Sequence, residues 1–229
     1  MGWEHACGLT PEGVAYCWGR NFEGQLGLGD LYGLKLTPVA VQTDLRFKQL
    51  QAAGTNTCGL THEGHVYCWG DKNYLGAPGF TEHQPSPVRV QIPVIDVFDS
   101  ANEDPCGITP DKQMYCWTNT VEAVPMVGSV SFVTVGGGHI CVRQINDRVV
   151  CYGRNVEGQL GDGTFNDSAV PIEPAGSLKF AQISAGAQHT CGVTDTGAAY
   201  CWGWNRYGQL GDGTHGTANK PTRVLIPRD

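Results

Sequence analysis

Side chains that can bind a metal ion recur at one position of the sequence, two residues before a cysteine. The position is occupied in turn by His5, Asn56, Asp104, His139 and His189. Imidazole nitrogens with a nearby carboxylate are a common ligand set for zinc and other divalent metals. This column of residues therefore predicts a divalent-metal site, with zinc as the expected ion and His5, His139, His189 and Asp104 as its ligands.

Hydrolysis is the chemistry that such a site would support. A zinc ion with an open coordination position lowers the pKa of its bound water towards about 7, and so supplies hydroxide at neutral pH. Asp104 is expected to be either a further ligand or a base, and Glu103 lies beside it as a proton-transfer group. The site would then suit a metal-dependent hydrolase acting on a small ester or phosphoester.

The cysteines that follow this column form pairs of constant spacing. The pairs are Cys7 with Cys17, Cys58 with Cys68, Cys106 with Cys116, Cys141 with Cys151, and Cys191 with Cys201. Nine residues lie between the partners of each pair, whereas zinc knuckles place about two to four residues between ligands. The pairs predict disulfides, and disulfides indicate a secreted or periplasmic protein.

Each cysteine pair brackets a predicted β-hairpin. Two short apolar segments flank residues 195–197, and Gly197 has counterparts at Gly13 and Gly64. A three-residue hairpin loop needs glycine at its left-handed position. The loop places Cys191 directly across from Cys201, at about 4.5 to 5.5 Å between Cα atoms, which a disulfide tolerates. Closing a ring of this size stabilises the fold by about 2 to 3 kcal/mol.

Further strands flank each hairpin and complete a repeating unit. Alternating apolar segments precede the pairs at residues 47–50, 95–98, 132–135 and 180–183. Segments led by proline follow at residues 38–41, 87–90, 125–127 and 221–224. Proline is tolerated in a strand that has one unpaired side, so these segments are expected at sheet edges. Four strands per unit predict an all-β array of blades. An aromatic residue follows the second cysteine of each pair and is expected to pack between blades; it is tryptophan at positions 18, 69, 117 and 202 and tyrosine at position 152.

The recurring motifs resemble the regulator of chromosome condensation repeat, in its cysteine-bearing bacterial form. They are Cys-Gly-x-Thr, Tyr-Cys-Trp-Gly and Gly-Gln-Leu-Gly, and they are clearest at residues 191–211. The resemblance implies a β-propeller, usually of seven blades, whereas this sequence contains five repeats. In that family a histidine at this position can simply hydrogen-bond a neighbouring blade, which is the alternative to a metal site.

The predicted architecture is one five-bladed β-propeller domain spanning residues 1–229, with one disulfide per blade. The strand at residues 221–227 is expected to complete the blade that begins at the N-terminus. Ring closure would make the histidine-bearing blades neighbours, and five blades give a ring narrow enough for their imidazoles to meet at one ion. The alternative is a fragment of a longer array that closes with a second copy. The third repeat is short and has residues 118–120 where others have Gly-Gln-Leu-Gly.

Composition limits the partners that the protein is expected to bind. The net charge is −7 and the pI near 5.4, which argues against nucleic acid because such binding depends on clustered Lys and Arg. No apolar run is long enough to span a membrane. If the protein is not an enzyme, it is a secreted interaction or inhibitor propeller, whose partner contacts loop residues such as Phe22 and Tyr207. A monomer is expected, or a dimer if the array is incomplete.

Overall fold

Two compact units make up the chain, residues Met1–Pro125 and Met126–Asp229. The computed structural model describes residues 1–72, 82–100, 105–117, 121–124 and 129–225, with the backbone alone for 121–124. The prediction of a single domain over residues 1–229 stays a prediction, and each unit is described by itself. No helix among the described residues is long and apolar enough to cross a membrane.

The first unit contains three antiparallel sheets. The first sheet comprises β1 His5–Leu9, β2 Ala15–Arg20 and β3 Leu34–Ala40. The second sheet comprises β4 Phe47–Ala53, β5 Asn56–Thr61, β6 Val66–Gly70 and β7 Gln84–Arg89. The third sheet comprises β8 Val97–Asp99, β9 Cys106–Ile108, β10 Met114–Trp117 and β11 Val121–Val124. Strands adjacent in sequence pair with one another throughout, as expected for propeller blades.

The second unit contains two four-stranded antiparallel sheets. The fourth sheet comprises β12 Val130–Val135, β13 His139–Gln144, β14 Val149–Gly153 and β15 Ser168–Ile172. The fifth sheet comprises β16 Phe180–Ala185, β17 His189–Thr194, β18 Ala199–Gly203 and β19 Ala218–Arg223. The described strands confirm the all-β class and the meander of blades that the sequence predicted.

Disulfides join directly opposed residues in all five hairpins, as the spacing predicted. The Cα atoms of each pair lie 4.0 or 4.1 Å apart, and no cysteine is free. The hairpin glycines Gly13, Gly64 and Gly197 have φ angles of 79°, 83° and 81°. The third and fourth hairpins place Lys112 and Asp147 in the same left-handed conformation, so glycine is preferred there but not required.

Aromatic side chains pack between successive sheets. In the first unit, Trp69 is fully buried and lies 5.9 Å from Phe47 between ring centroids, against Cys17 of the first sheet. In the second unit, Trp202 lies 5.5 Å from Phe180 and packs against the fourth sheet. The prediction that these tryptophans pack between blades is confirmed. Burying each ring removes a large apolar surface from water and fixes the spacing of neighbouring sheets.

One strand assignment from the sequence is wrong. The strand near residue 221 does not complete the first sheet, because Arg223 and Thr222 pair with Tyr200 and Cys201 of β18. Only residues 204–217 connect β18 to β19, so this pairing closes a much smaller loop than pairing with the N-terminal strands and costs less loop-closure entropy. The first sheet accordingly has three strands among the described residues. The segment at 125–127, predicted as an outer strand, lies outside the described residues, as do residues 118–120.

Candidate functional site

A tight turn places each histidine of the column at the start of a strand. The turns are Gly2–His5, Gly136–His139 and Gly186–His189, and in each the glycine N–H donates to the histidine carbonyl at 2.8 to 3.0 Å. The imidazole folds back beneath the glycine. A Cβ atom on Gly136 would lie 2.2 Å from Cε1 of the ring, so the turn has no room for a larger residue.

In the second unit, His139 begins a hydrogen-bond relay between the fourth and fifth sheets. Its Nε2 lies 2.8 Å from Oγ1 of Thr190. The Thr190 hydroxyl donates to the carbonyl oxygen of Gln159 at 2.8 Å, so it must accept from the ring, which places the proton on Nε2. Trp202 donates its indole N–H to the same carbonyl at 2.9 Å. His139 and Thr190 are both buried, and the relay therefore links the two sheets inside the core.

The first unit repeats this relay between the first and second sheets. His5 Nε2 lies 2.9 Å from Thr57 Oγ1, and that hydroxyl donates to the Gln25 carbonyl at 2.7 Å. Both side chains are buried. The carbonyl belongs to the Gly-Gln-Leu-Gly segment, as it does in the second unit. The relay is thus a repeated connection between consecutive sheets and not an isolated contact.

Burial keeps these histidines uncharged. Desolvation, with a smaller contribution from the N-terminal amino group, lowers the pKa of His5 from 6.5 to about 4. Desolvation and the neighbouring His189 lower the pKa of His139 from 6.5 to about 4. Desolvation also lowers the pKa of His189. At neutral pH, His5 and His139 are therefore neutral rings that each donate one hydrogen bond.

The structure does not test the predicted zinc site as a whole. Asp104 and Glu103 lie outside the described residues, and His5 belongs to a different unit from His139 and His189. Among the described residues, no group of three or more His, Cys, Asp or Glu side chains is placed to hold a metal ion. A metal bound at Nε2 of His5 or His139 would have to displace a threonine hydroxyl. The zinc site stays a prediction.

Sequence reasoning did not identify the threonine partners of these histidines. Thr57 and Thr190 stand immediately before Cys58 and Cys191, and each belongs to the repeat that follows a histidine-bearing repeat. The other repeats combine differently: Asn56 is followed by a repeat with Pro105, and Asp104 by one with Ile140. The contact between each histidine and its threonine could therefore have been predicted from the residue types at these two positions in consecutive repeats.

At the same end of the first, fourth and fifth sheets, a repeated set of hydrogen bonds supports loops with different tips. Asn21, Asn155 and Asn205 are fully buried. The Asn205 amide donates to Asp212 Oδ1 and the Thr214 carbonyl at 3.1 Å, and its oxygen accepts from the Leu210 N–H at 3.0 Å. Asn21 and Asn155 make corresponding bonds. These bonds order each loop, including the Gly-Asp-Gly-Thr segments at residues 161–164 and 211–214.

The loop of the fifth sheet exposes an aromatic and arginine cluster. Tyr207 is 74% exposed. Its ring stands edge-on to Trp204 at 5.3 Å between centroids, and the Arg206 guanidinium lies 5.9 Å from the Tyr207 centroid. The Tyr207 N–H donates to Gln209 Oε1 at 2.9 Å, so the tip is fixed by its own loop. Cation–π and edge-on ring contacts further order these side chains before any partner binds.

The loop of the first sheet carries a related cluster. Phe22 is 53% exposed, and the Arg20 guanidinium lies 5.5 Å from its ring centroid. Arg20 forms ion pairs with Glu4 and Glu23, the latter at 2.7 Å. The corresponding tip of the fourth sheet is Val156, which is 48% exposed. The predicted contact residues Phe22 and Tyr207 are thus both solvent-exposed loop tips.

Blade-like sheets joined by interlocking aromatics, with rigid loops at one end, define a scaffold of the β-propeller class. A family model for the regulator of chromosome condensation (RCC1) repeat matches residues 146–193 and 196–229, and a second model of that description matches 1–25 and 180–209. The chain belongs to the family that contains this repeat. The narrower assignment to a bacterial form stays a prediction.

Two relatives similar to this chain are considerably longer than it. The ultraviolet-B receptor UVR8 of Arabidopsis thaliana is 30% identical over 190 residues, which are 80% of this chain and 35% of UVR8. The probable E3 ubiquitin-protein ligase HERC6 of Homo sapiens is 27% identical over 188 residues, 70% of this chain and 18% of HERC6. The chain therefore spans about a third or less of these relatives.

Solved structures share the fold at low sequence identity. The chain superposes on human WBSCR16 with a TM-score of 0.87 at 21% identity, covering 99% of this chain and 66% of that one. It superposes on yeast RCC1 (Prp20), solved with Kap60, with a TM-score of 0.85 at 19% identity, covering 97% of this chain and 59% of that one. These likenesses establish the fold and leave the function to the surface residues.

Proposed function

We propose that this chain is a non-catalytic binding module that recognises a protein partner through the loop tips of its blades. The main support for the proposal is the cluster of exposed Arg206 and Tyr207 with half-buried Trp204, on a loop ordered by its own hydrogen bonds. Tryptophan, tyrosine and arginine are the residue types that supply most binding energy in protein interfaces. Because the loop is already ordered, a partner would spend little free energy in fixing it.

The variation between loops supports the same function. The buried asparagine and the Gly-Gln-Leu-Gly segment repeat in the first, fourth and fifth sheets, whereas the exposed tip changes from Phe22 to Val156 to Tyr207. A constant scaffold with variable tips is how many folds present a binding surface. Yeast Prp20p, which shares the fold, has binding properties to Gsp1p and histones. Protein binding is therefore a role that the fold can support.

The five disulfides indicate an oxidising environment, and we infer that the module acts outside the cytosol, in a secreted or periplasmic setting. The net charge of −7 favours a partner with a basic surface, because complementary charge accelerates association. Hydrolysis at a zinc site remains the alternative function, and no contact among the described residues favours it.

Binding by a purified partner tests the proposal. Proteins that bind the immobilised chain are captured from an extract of the organism that makes it, and each is then produced separately. The affinity of each captured protein for the chain is measured by titration calorimetry. We expect Tyr207→Ala or Phe22→Ala to weaken binding at least about tenfold, which is the loss of a moderate interface anchor. Val170→Ala is the matched control, because Val170 is 64% exposed but lies on the outer strand β15. Equal affinity of all variants would refute the loop-tip surface.

A further inference from the structure

In the first unit, each of two hairpins is bonded to the segment that leads into the next sheet. The Gly13 carbonyl accepts the Phe47 N–H at 2.9 Å, and the Gly64 carbonyl accepts the Ile95 N–H at 2.9 Å. A Cβ atom on Gly13 would lie 2.7 Å from the Phe47 carbonyl oxygen, and one on Gly64 would lie 2.9 Å from that of Ile95. This joint therefore closes only around a hairpin residue that has no side chain.

The corresponding joint between the fourth and fifth sheets is open. Asp147 occupies the glycine position of the fourth hairpin with a φ of 64°, and its N–H donates to the Gln144 carbonyl at 3.0 Å. Phe180 begins the fifth sheet in the register in which Phe47 begins the second. Within the described part of the chain, no hydrogen bond joins the Phe180 N–H to the Asp147 carbonyl. The Cβ atom of Asp147 accounts for this, because a closed joint has no room for it.

A cavity of about 230 Å³ lies at the open joint. Its lining comprises residues 146–149 of the fourth hairpin, and residues 173, 174 and 177–180 of the segment that enters the fifth sheet. A water molecule takes up about 30 Å³ in the liquid, so the cavity has room for a molecule of about seven or eight non-hydrogen atoms. The site therefore suits a small metabolite and not a peptide.

Two charges of each sign line this cavity. Arg148 of the hairpin and Glu173 of the facing segment form an ion pair that joins the two walls. Lys179 forms no ion pair with the residues that the structure describes. The Asp147 side chain is 70% exposed, and its nearest cation is Arg143 at 3.5 Å. Asp147 and Lys179 thus present opposite charges from facing walls, and complementarity favours a neutral ligand with two separated charges.

We propose that this cavity binds a small free amino acid. The Lys179 ammonium and the Phe180 N–H would hold the ligand carboxylate, and the Asp147 carboxylate would hold the ligand ammonium, each through charge-assisted hydrogen bonds. The cavity lies at the hairpin end of β14, whereas the loop with Val156 follows the other end of that strand. The site is therefore separate from the loop tips of the proposed function.

Amide NMR titration of the full chain with glycine, L-alanine and L-serine tests the ligand class. We expect saturable shifts at Asp147, Lys179 and Phe180, with dissociation constants below about 10 mM. Acetate and methylamine each carry only one of the two charges, and each should bind at least about tenfold more weakly than L-alanine. Acetate binding as tight as that of L-alanine would show a simple anion site and overturn the assignment, and so would the absence of amino-acid binding.

Substitutions in the cavity test the geometry separately from the ligand. Asp147→Gly should close the joint, so that exchange of the Phe180 amide hydrogen slows at least about tenfold and amino-acid binding is lost. Lys179→Gln should weaken binding about tenfold and leave that exchange rate unchanged. Asp195→Asn is the control, because Asp195 is exposed on the fifth hairpin, outside the cavity, and it should alter neither readout. If Asp147→Gly binds L-alanine as the parent does, or leaves Phe180 exchange unchanged, the proposal is wrong.

Discussion

Replacing Thr190 by valine removes one hydroxyl from the relay and leaves the shape of the side chain unchanged. The His139 N–H then loses its acceptor, and His139 is 1% exposed, so water cannot replace the lost bond. A buried donor without a partner costs about 1 to 3 kcal/mol. The Gln159 carbonyl loses the Thr190 hydroxyl but keeps the Trp202 indole N–H, which limits that second loss to about 1 kcal/mol.

The sum predicts that Thr190→Val lowers the free energy of unfolding by about 2 to 4 kcal/mol. This is a substantial part of the roughly 5 to 15 kcal/mol that stabilises an ordinary domain. Urea unfolding without reductant, followed by tryptophan fluorescence at neutral pH, measures it. Thr190→Ser is the control, because it keeps the hydroxyl and loses one methyl group, worth about 1 kcal/mol. If the valine variant is as stable as the serine variant, the relay does not stabilise the fold.

Three further predictions concern the histidine turns. Because unfolding raises the pKa of His5 and His139 from about 4 to 6.5, the stability that each contributes is complete above pH 6.5 and is lost as the pH falls towards 4. The loss is on the order of 3 kcal/mol per residue. When both histidines are replaced by asparagine, the melting temperature should change less between pH 6.5 and pH 4 than it does in the parent chain. Gly136→Ala should cost about 1 to 3 kcal/mol by crowding the His139 ring. Gly216→Ala, whose added Cβ would meet only Thr214 Oγ1 at 4.0 Å, should be neutral in the same urea experiment. Metal analysis by mass spectrometry tests the zinc site, which requires about one equivalent of zinc in the parent and its loss in His189→Ala.

The sequence predicted features that depend on spacing. The cysteine pairs, the hairpin glycines and the tryptophan positions recur at fixed intervals, and hairpin geometry converts those intervals directly into opposed residues. The C-terminal strand was misassigned because its pattern of alternating residues allows two sheets as partners. In the structure the strand pairs with β18, the partner that is nearer along the chain.

The candidate site was harder to predict than the fold. The histidine column was identified, but its residue types alone suit both a metal and a hydrogen bond. The partner of each histidine comes from another repeat about 51 or 52 residues away, so no local pattern contains it. The exposure of Phe22 and Tyr207 could be anticipated because both occupy turn positions between Asn and Gly-Gln-Leu-Gly, where the chain bends away from the core.

The placement of the disulfides has a consequence for biosynthesis. Each bond joins cysteines ten positions apart in one hairpin, and none links two repeats. Ten cysteines allow on the order of a thousand pairings, but a chain that enters an oxidising space from its N-terminus can close each pair before the next one arrives. Such a protein would need little help from a disulfide isomerase. A proteolytic cut between repeats, however, would leave no covalent bridge to hold the pieces together.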